Sequence, residues 1–256
     1  MNLHRPNTTG TLLQQFPEEL NMTAEKKSNE TAPTRTFSNV SCIMKEPVGA
    51  SQVTLPPLPY GWKSLEPTIP RNMMELNPEN NHSSNVVNYN KAVAKFKPSS
   101  VSNHSLTMLE LINVLKFNIG DHINRTLFWN SRTPHPTKPS FELQNAIVES
   151  FRLLEEFKKT RSSVFVSIQG LGWGWLVFDP NEQNPESKIK LILNQKIIYK
   201  NEIIRLFGYD IWEQEYFLQY KNVRVQYVNA MFVVVNWTEV SDQISNAKRI
   251  LFAFVD

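Results

Sequence analysis

A single cysteine, Cys42, stands among the 256 residues. One thiol excludes an internal disulfide framework and fits a reducing compartment. No apolar run is long enough to span a bilayer. The most apolar stretch, Tyr227 to Trp237 (YVNAMFVVVNW), reads as a buried helix instead. Neither sign of charge dominates: the net charge is +3 and is not gathered into a stripe, which gives no reason to propose a nucleic-acid ligand. With no secretory signal expected, N-x-[ST] triplets such as Asn124-Arg125-Thr126 are read as products of chance in an Asn-rich chain.

What is present divides unevenly. The opening stretch, rich in Asn, Thr, Ser and Glu, lacks apolar periodicity and is expected to be a disordered extension over residues 1–52. Glu18, Glu19, Glu25 and Glu30 offset its few basic residues, so it does not read as a mitochondrial presequence. A Pro-rich entry (Pro56, Pro57, Pro59, Pro67, Pro70) leads to a helical region over about Asn72–Phe96, with Pro78 placed to break it. A second helix is expected over Ser105–Asn118, where Leu106, Leu109, Ile112 and Leu115 recur at helical spacing. Pro134, Pro136 and Pro139 then mark a domain boundary. Leu143, Ala146, Ile147, Phe151, Leu154 and Phe157 form an amphipathic stripe. Strand alternation follows at Val164, Val166 and Ile168, and again at Ile189, Leu191 and Leu193. Helices over about Ile211–Tyr220 and Val225–Val235 finish the pattern, which is α+β.

Five ordered blocks carry a resemblance. Leu55 to Pro67 reads LPPLPYGWKSLEP, and Leu115 to Trp129 reads LKFNIGDHINRTLFW. Gly172 to Leu176 reads GWGWL, and Tyr209 to Asn222 reads YDIWEQEYFLQYKN. Asn222-Val223-Arg224 and Asn236-Trp237 close the series. Together the blocks resemble the iron/manganese superoxide dismutases, with wording nearest the mitochondrial manganese enzymes of animals. The resemblance implies an N-terminal helical-hairpin domain (residues 53–136), a C-terminal domain of helices around a small antiparallel sheet (139–247) and a tail (248–256). It also implies the mitochondrial matrix; without a clear presequence the cytosol stays open.

In that family three imidazoles and one carboxylate hold manganese or iron, which alternates between two oxidation states. By resemblance the four ligand positions fall at Asn77, Arg125, Asp210 and Gln214, so Asp210 alone keeps a ligand. An amide oxygen is a poor substitute for imidazole, and a guanidinium keeps its protons and has no lone pair to give. The motif's Gly-Gly has become Gly120-Asp121. The outer positions have changed as well: the gateway tyrosine falls at Asn85, its partner His at Asn81, and a tyrosine bonded across the dimer at Phe217. Trp129, Trp173 and Trp212 keep the aromatic wall, and Gln195 keeps the amide that would orient a metal-bound solvent; all of these also serve packing. His82 and His122 match non-ligand histidines. The expectation is a pocket of two amides, a guanidinium and one aspartate, in which Arg125 pairs with Asp210.

Three functions stay open on the sequence. The first is a dismutase-family protein with its fold kept and metal-dependent conversion of superoxide to oxygen and hydrogen peroxide lost. It would be a pseudoenzyme with a structural or binding role, or a decaying gene copy, and no cofactor is expected. The second is an active manganese or iron superoxide dismutase. The third is a dismutase-like protein of the mitochondrial ribosomal small subunit. The resemblance further implies a homodimer in which Glu213 reaches across a two-fold axis.

Overall fold

Two long helices lie side by side, α2 (Ser83–Val101) and α3 (Ser105–Asn130), with a short helix, α1 (Arg71–Glu75), ahead of them. The structure, a computed structural model, describes residues 51–76, 81–101, 105–179, 186–198 and 203–252. Tyr89, Ala92 and Val93 of α2 meet Leu115, Ile119 and Ile123 of α3 in one cluster, closed by Ile197. The four-residue spacing of the α3 members puts them on a single face, and that face makes the hairpin pair. The entry segment is pinned to it: Val53 exchanges two 2.9 Å hydrogen bonds with the Asn90 side chain.

The first expected helix therefore arrives in two pieces, α1 and α2. Pro78 and Asn77 lie in 77–80, outside the described residues, as do Cys42 and residues 1–50 of the expected extension. The second helix does not stop at Asn118 but runs on to Asn130. Gly120 sits inside it because a Cβ at that position would collide with the backbone carbonyl of Gln195. The missing side chain is what lets the segment after the second strand approach α3.

Helices α4 (Phe141–Phe151) and α5 (Leu154–Val166) share the expected amphipathic stripe. Ser140 caps α4 by accepting from Leu143 N at 3.2 Å, and Arg152, at φ 67°, breaks the chain between the two helices. The strand expected at Val164, Val166 and Ile168 is not formed. Phe157, Arg161 and Phe165 are buried at four-residue spacing, and this helical register wins over a two-residue alternation in which Val166 is exposed.

Three antiparallel strands follow, in the order β2 (Glu186–Leu193), β1 (Gly172–Asp179), β3 (Ile204–Asp210). Trp173 pairs with Ile192 on one side and with Asp210 on the other, which brings the GWGWL motif beside the retained carboxylate. All of β1 and nearly all of β3 are buried, so β3 shows no polar alternation and the sequence pattern passed over it.

After β3 come a 3₁₀ turn (Glu213–Glu215), α6 (Phe217–Tyr220), α7 (Arg224–Ala230) and α8 (Trp237–Phe252). The YVNAMFVVVNW stretch is not one buried helix: α7 ends at Ala230, Val235 bridges to Arg132, and α8 starts at Trp237. The fold is α+β, a helical hairpin followed by helices around a three-stranded antiparallel sheet. No described helix is long and apolar enough to cross a membrane.

Candidate functional site

One guanidinium organises the interior where the hairpin meets the sheet. Arg125 of α3 is 1% exposed. Its Nε lies 2.8 Å from Asp121 Oδ1, one helical turn earlier, and its Nη1 lies 2.8 Å from Glu215 Oε1 in the 3₁₀ turn. Nη2 is 3.4 Å from Asp210 Oδ2 at the end of β3. All three carboxylates are buried. Around them, Gln195 donates to Asp121 Oδ1 at 2.8 Å and accepts from the Trp173 indole at 2.8 Å. The guanidinium carbon sits 6.0 Å from the centre of the Trp173 ring.

The local turn explains which residue reaches inward. Asp210 Oδ1 accepts from Trp212 N at 3.0 Å, which starts a turn of the Asx type. Two bonds of the 3₁₀ kind continue it, Glu215 N to Trp212 O at 2.9 Å and Tyr216 N to Glu213 O at 3.1 Å. In a 3₁₀ turn side chains three apart fall on one face, so Glu215 follows Trp212 inward while Glu213 and Gln214 are exposed. This corrects the sequence expectation. Gln214 does not line the pocket, and the cavity holds three carboxylates instead of one.

Charge in this site is strongly coupled. Burial works against the charge of Arg125, but Glu215, Asp121 and Asp210 together outweigh it and hold the guanidinium protonated above the ordinary arginine range. Burial raises the pKa of Asp121 and of Glu215, with Arg125 opposing. Asp210 is raised well above the usual carboxylate value, first by burial and then by Glu215. Beside them, His82 Nε2 and His122 Nδ1 are 2.8 Å apart and both rings are buried. Burial lowers the His82 pKa to about 3, helped by His122 and Arg125, and lowers that of His122 to about 4. The second nitrogen of His122, Nε2, has no partner.

The remaining singled-out positions scatter. Asn85 is half-buried and lies close enough to Asp121 to favour its ionised form, though Asp121 Oδ2 accepts no hydrogen bond. Asn81 is half-buried. Trp129 is buried and Trp212 half-buried, both with indole nitrogens that lack partners, and Trp212 meets Phe117 edge-on at 6.4 Å. Phe217 is 52% exposed. Sequence reasoning missed Asp121 and Glu215 as members of the site. Each had a signal: Asp121 precedes Arg125 by four residues on a helix, and Glu215 replaces the Ala of the D-x-W-E-H-A motif.

Residues 52–132 match the α-hairpin domain of the iron/manganese superoxide dismutases, and residues 139–243 match their C-terminal domain. The chain belongs to this family. It is similar to "Superoxide dismutase [Mn], mitochondrial" of Drosophila melanogaster, 39% identical over 77% of this chain and 90% of the relative. "Superoxide dismutase [Mn] 2, mitochondrial" of Caenorhabditis elegans is 35% identical over 78% of this chain and 89% of the relative. "Superoxide dismutase [Mn], mitochondrial" of Glossina morsitans morsitans is 32% identical over 82% and 96%.

The donor chemistry at this site is a poor match for a dismutase metal. Arg125 brings only N–H donors into the space between Asp121, Asp210 and Glu215. A divalent or trivalent ion there would face a cation already hydrogen-bonded to Asp121 and Glu215 and 3.4 Å from Asp210 Oδ2, which itself accepts no hydrogen bond. Among the described residues, no group of three His, Cys, Asp or Glu side chains is arranged to hold a metal ion.

Proposed function

We propose that this chain is a dismutase-family protein that keeps the fold and has given up the redox metal, and with it superoxide dismutation, in favour of a structural or binding role. One observation carries the reading: the Arg125 guanidinium occupies the centre of the acidic cavity and pairs with all three of its carboxylates. By resemblance, the position that supplies a metal-binding imidazole supplies this guanidinium. An electron-shuttling ion and Arg125 compete for the same oxygens, and arginine does not deprotonate to make way.

The second reading, an active manganese enzyme, is favoured by the relatives' printed names and by the retained Asp210, Gln195 and Trp173. Metal analysis of the purified full chain, combined with a superoxide-consumption assay, separates the two. The expected result is far less than stoichiometric manganese or iron, with superoxide decay at the uncatalysed rate. Stoichiometric metal with dismutation above background would return the protein to the enzymes.

Partner and compartment follow the same logic. The relatives' names place them in mitochondria, and we propose the mitochondrial matrix here as well. A groove of about 280 Å³ lies beside the exposed Glu213, lined also by Phe217, Lys221 and Arg224. An acid, two bases and an aromatic on one surface suit a self-complementary two-fold contact between copies. Light scattering on the full chain is expected to give twice the 29.6 kDa of one chain. A monomer at working concentration would remove the dimer from the proposal.

A further inference from the structure

The segment after β3 is too short to hold its own shape. Its 3₁₀ turn and the four residues of α6 fall well below the roughly 12 residues at which an isolated helix becomes even marginally stable. Its path is set from inside, and Arg125 grips the turn at both ends. At the start, Nη2 lies 3.4 Å from Asp210 Oδ2, while Asp210 Oδ1 accepts from Trp212 N at 3.0 Å. At the far end, Nη1 donates to Glu215 Oε1 at 2.8 Å. Asp121 steadies the guanidinium from a third side by accepting from Nε at 2.8 Å. Both Asp121 and Arg125 belong to α3, so the hairpin shapes a turn that follows the sheet.

This grip decides which side chains face out. With Glu215 drawn inward, Glu213 and Gln214 are left exposed, and Phe217 is exposed after them. Glu213 and Phe217 line the same groove as Lys221 and Arg224. Arg224 is engaged within the fold, donating to the Tyr216 hydroxyl and the Ile168 carbonyl. Neither Glu213 nor Lys221 has an ion-pair partner among the described residues. An acid and a base left unpaired beside an exposed aromatic complement a second copy turned about a two-fold axis, Glu213 of one facing Lys221 of the other.

We infer that Arg125, by anchoring Asp210 and Glu215, presents Glu213 and Phe217 as a preformed docking surface for a second copy of this chain. This role rests on the two-fold contact proposed above and adds what shapes it, a buried ion pair behind the surface. A segment ordered before contact associates more tightly, because its conformational freedom is already lost on folding. Tyr216 is the competing anchor, since it is buried and stacks on Tyr227 with ring centres 5.1 Å apart.

Two measurements on the full chain, with EDTA present, separate the anchors. Sedimentation equilibrium gives the dimer dissociation constant of wild type, Glu215→Ala and Glu215→Gln. Hydrogen exchange follows the amides of residues 215 and 216, which donate to the Trp212 and Glu213 carbonyls at 2.9 and 3.1 Å. Glu215→Ala is expected to raise the dissociation constant about tenfold or more and to deprotect both amides. Glu215→Gln keeps an oxygen that accepts from Nη1 and should stay close to wild type. A Glu215→Ala protein that associates as tightly and exchanges as slowly as the wild type overturns the role and leaves Tyr216 as the anchor. A change in only one measurement overturns it too, because turn and contact would then be independent. Should Glu215→Ala fail to fold, the wild type decides. Diluted to monomer, it should keep both amides protected; protection that appears only on association would mean that the partner shapes the turn. A wild type that is monomeric at every concentration removes the two-fold contact itself and the docking role with it, whereas a dimer indifferent to Glu215→Ala sinks the role of Arg125 alone.

Discussion

Arg125→Met is expected to cost about 3–5 kcal/mol of folding stability, the usual penalty for leaving buried charges without their partner. For a chain of this size that corresponds to a Tm lower by on the order of 10 °C. The size of the effect follows from what stays behind: Asp121, Asp210 and Glu215 would remain buried with no cation between them. Arg125→Lys should recover little of the loss, because one ammonium cannot meet three carboxylates approaching a planar fork from three directions. Glu215→Gln should be much milder, since Arg125 keeps Asp121 and Asp210. The Arg125→Met variant should also be relatively more stable in acid. Carboxylates whose folded pKa is raised contribute stability that is present below their unfolded pKa and lost as pH rises through the folded value. Chemical denaturation of the three variants near neutral pH, repeated for Arg125→Met in acid, checks these expectations. An Arg125→Met protein that unfolds with the wild type would mean that the cage contributes nothing to the fold.

How far the sequence foretold this site depends on the kind of backbone beneath each residue. The hairpin and the approach of Arg125 to Asp210 follow from motif blocks that preserve their order and from two positions that share one cavity in the family. Asp121 was within reach of simple helical spacing, because α3 continues unbroken through Gly120. A glycine in mid-helix reads as a stop until its close contact with the Gln195 carbonyl is known. Glu215 was harder. Reading 211–220 as α-helix places Gln214 beside Asp210, whereas the 3₁₀ turn aligns Trp212 with Glu215 and leaves Gln214 exposed. Arg132 and Arg161 were invisible for a different reason: their partners are a backbone carbonyl, a phenol and an amide, none of which announces an arginine in sequence. The strand β3 escaped because burial on both faces erases the alternation by which strands are recognised.

The second large effect is an acid lability set by His82 and His122. Burial holds their pKa values at about 3 and about 4, well below the ordinary 6.5. Because the folded value is depressed, each histidine contributes stability that is complete above the unfolded pKa and is lost as pH falls towards the folded one. The window runs from about pH 6.5 down to about pH 4, where the unfolded chain binds two protons that the folded chain refuses. Each histidine then removes about 1.4 kcal/mol per pH unit. Between pH 6.5 and 4.5 the pair should account for on the order of 5 kcal/mol. The raised carboxylates of the Arg125 cage act in the opposite direction over part of this range, so the total slope of the wild type is a poor readout. The difference between proteins is a good one, because the cage is common to both. A His82→Leu/His122→Leu double should be less affected by acid than the wild type, and the two curves of unfolding free energy against pH should converge as pH falls. Parallel curves from pH 6.5 to 4.5 would show that the two imidazoles take up their protons as readily in the folded as in the unfolded chain, and would remove the acid lability assigned to their 2.8 Å contact.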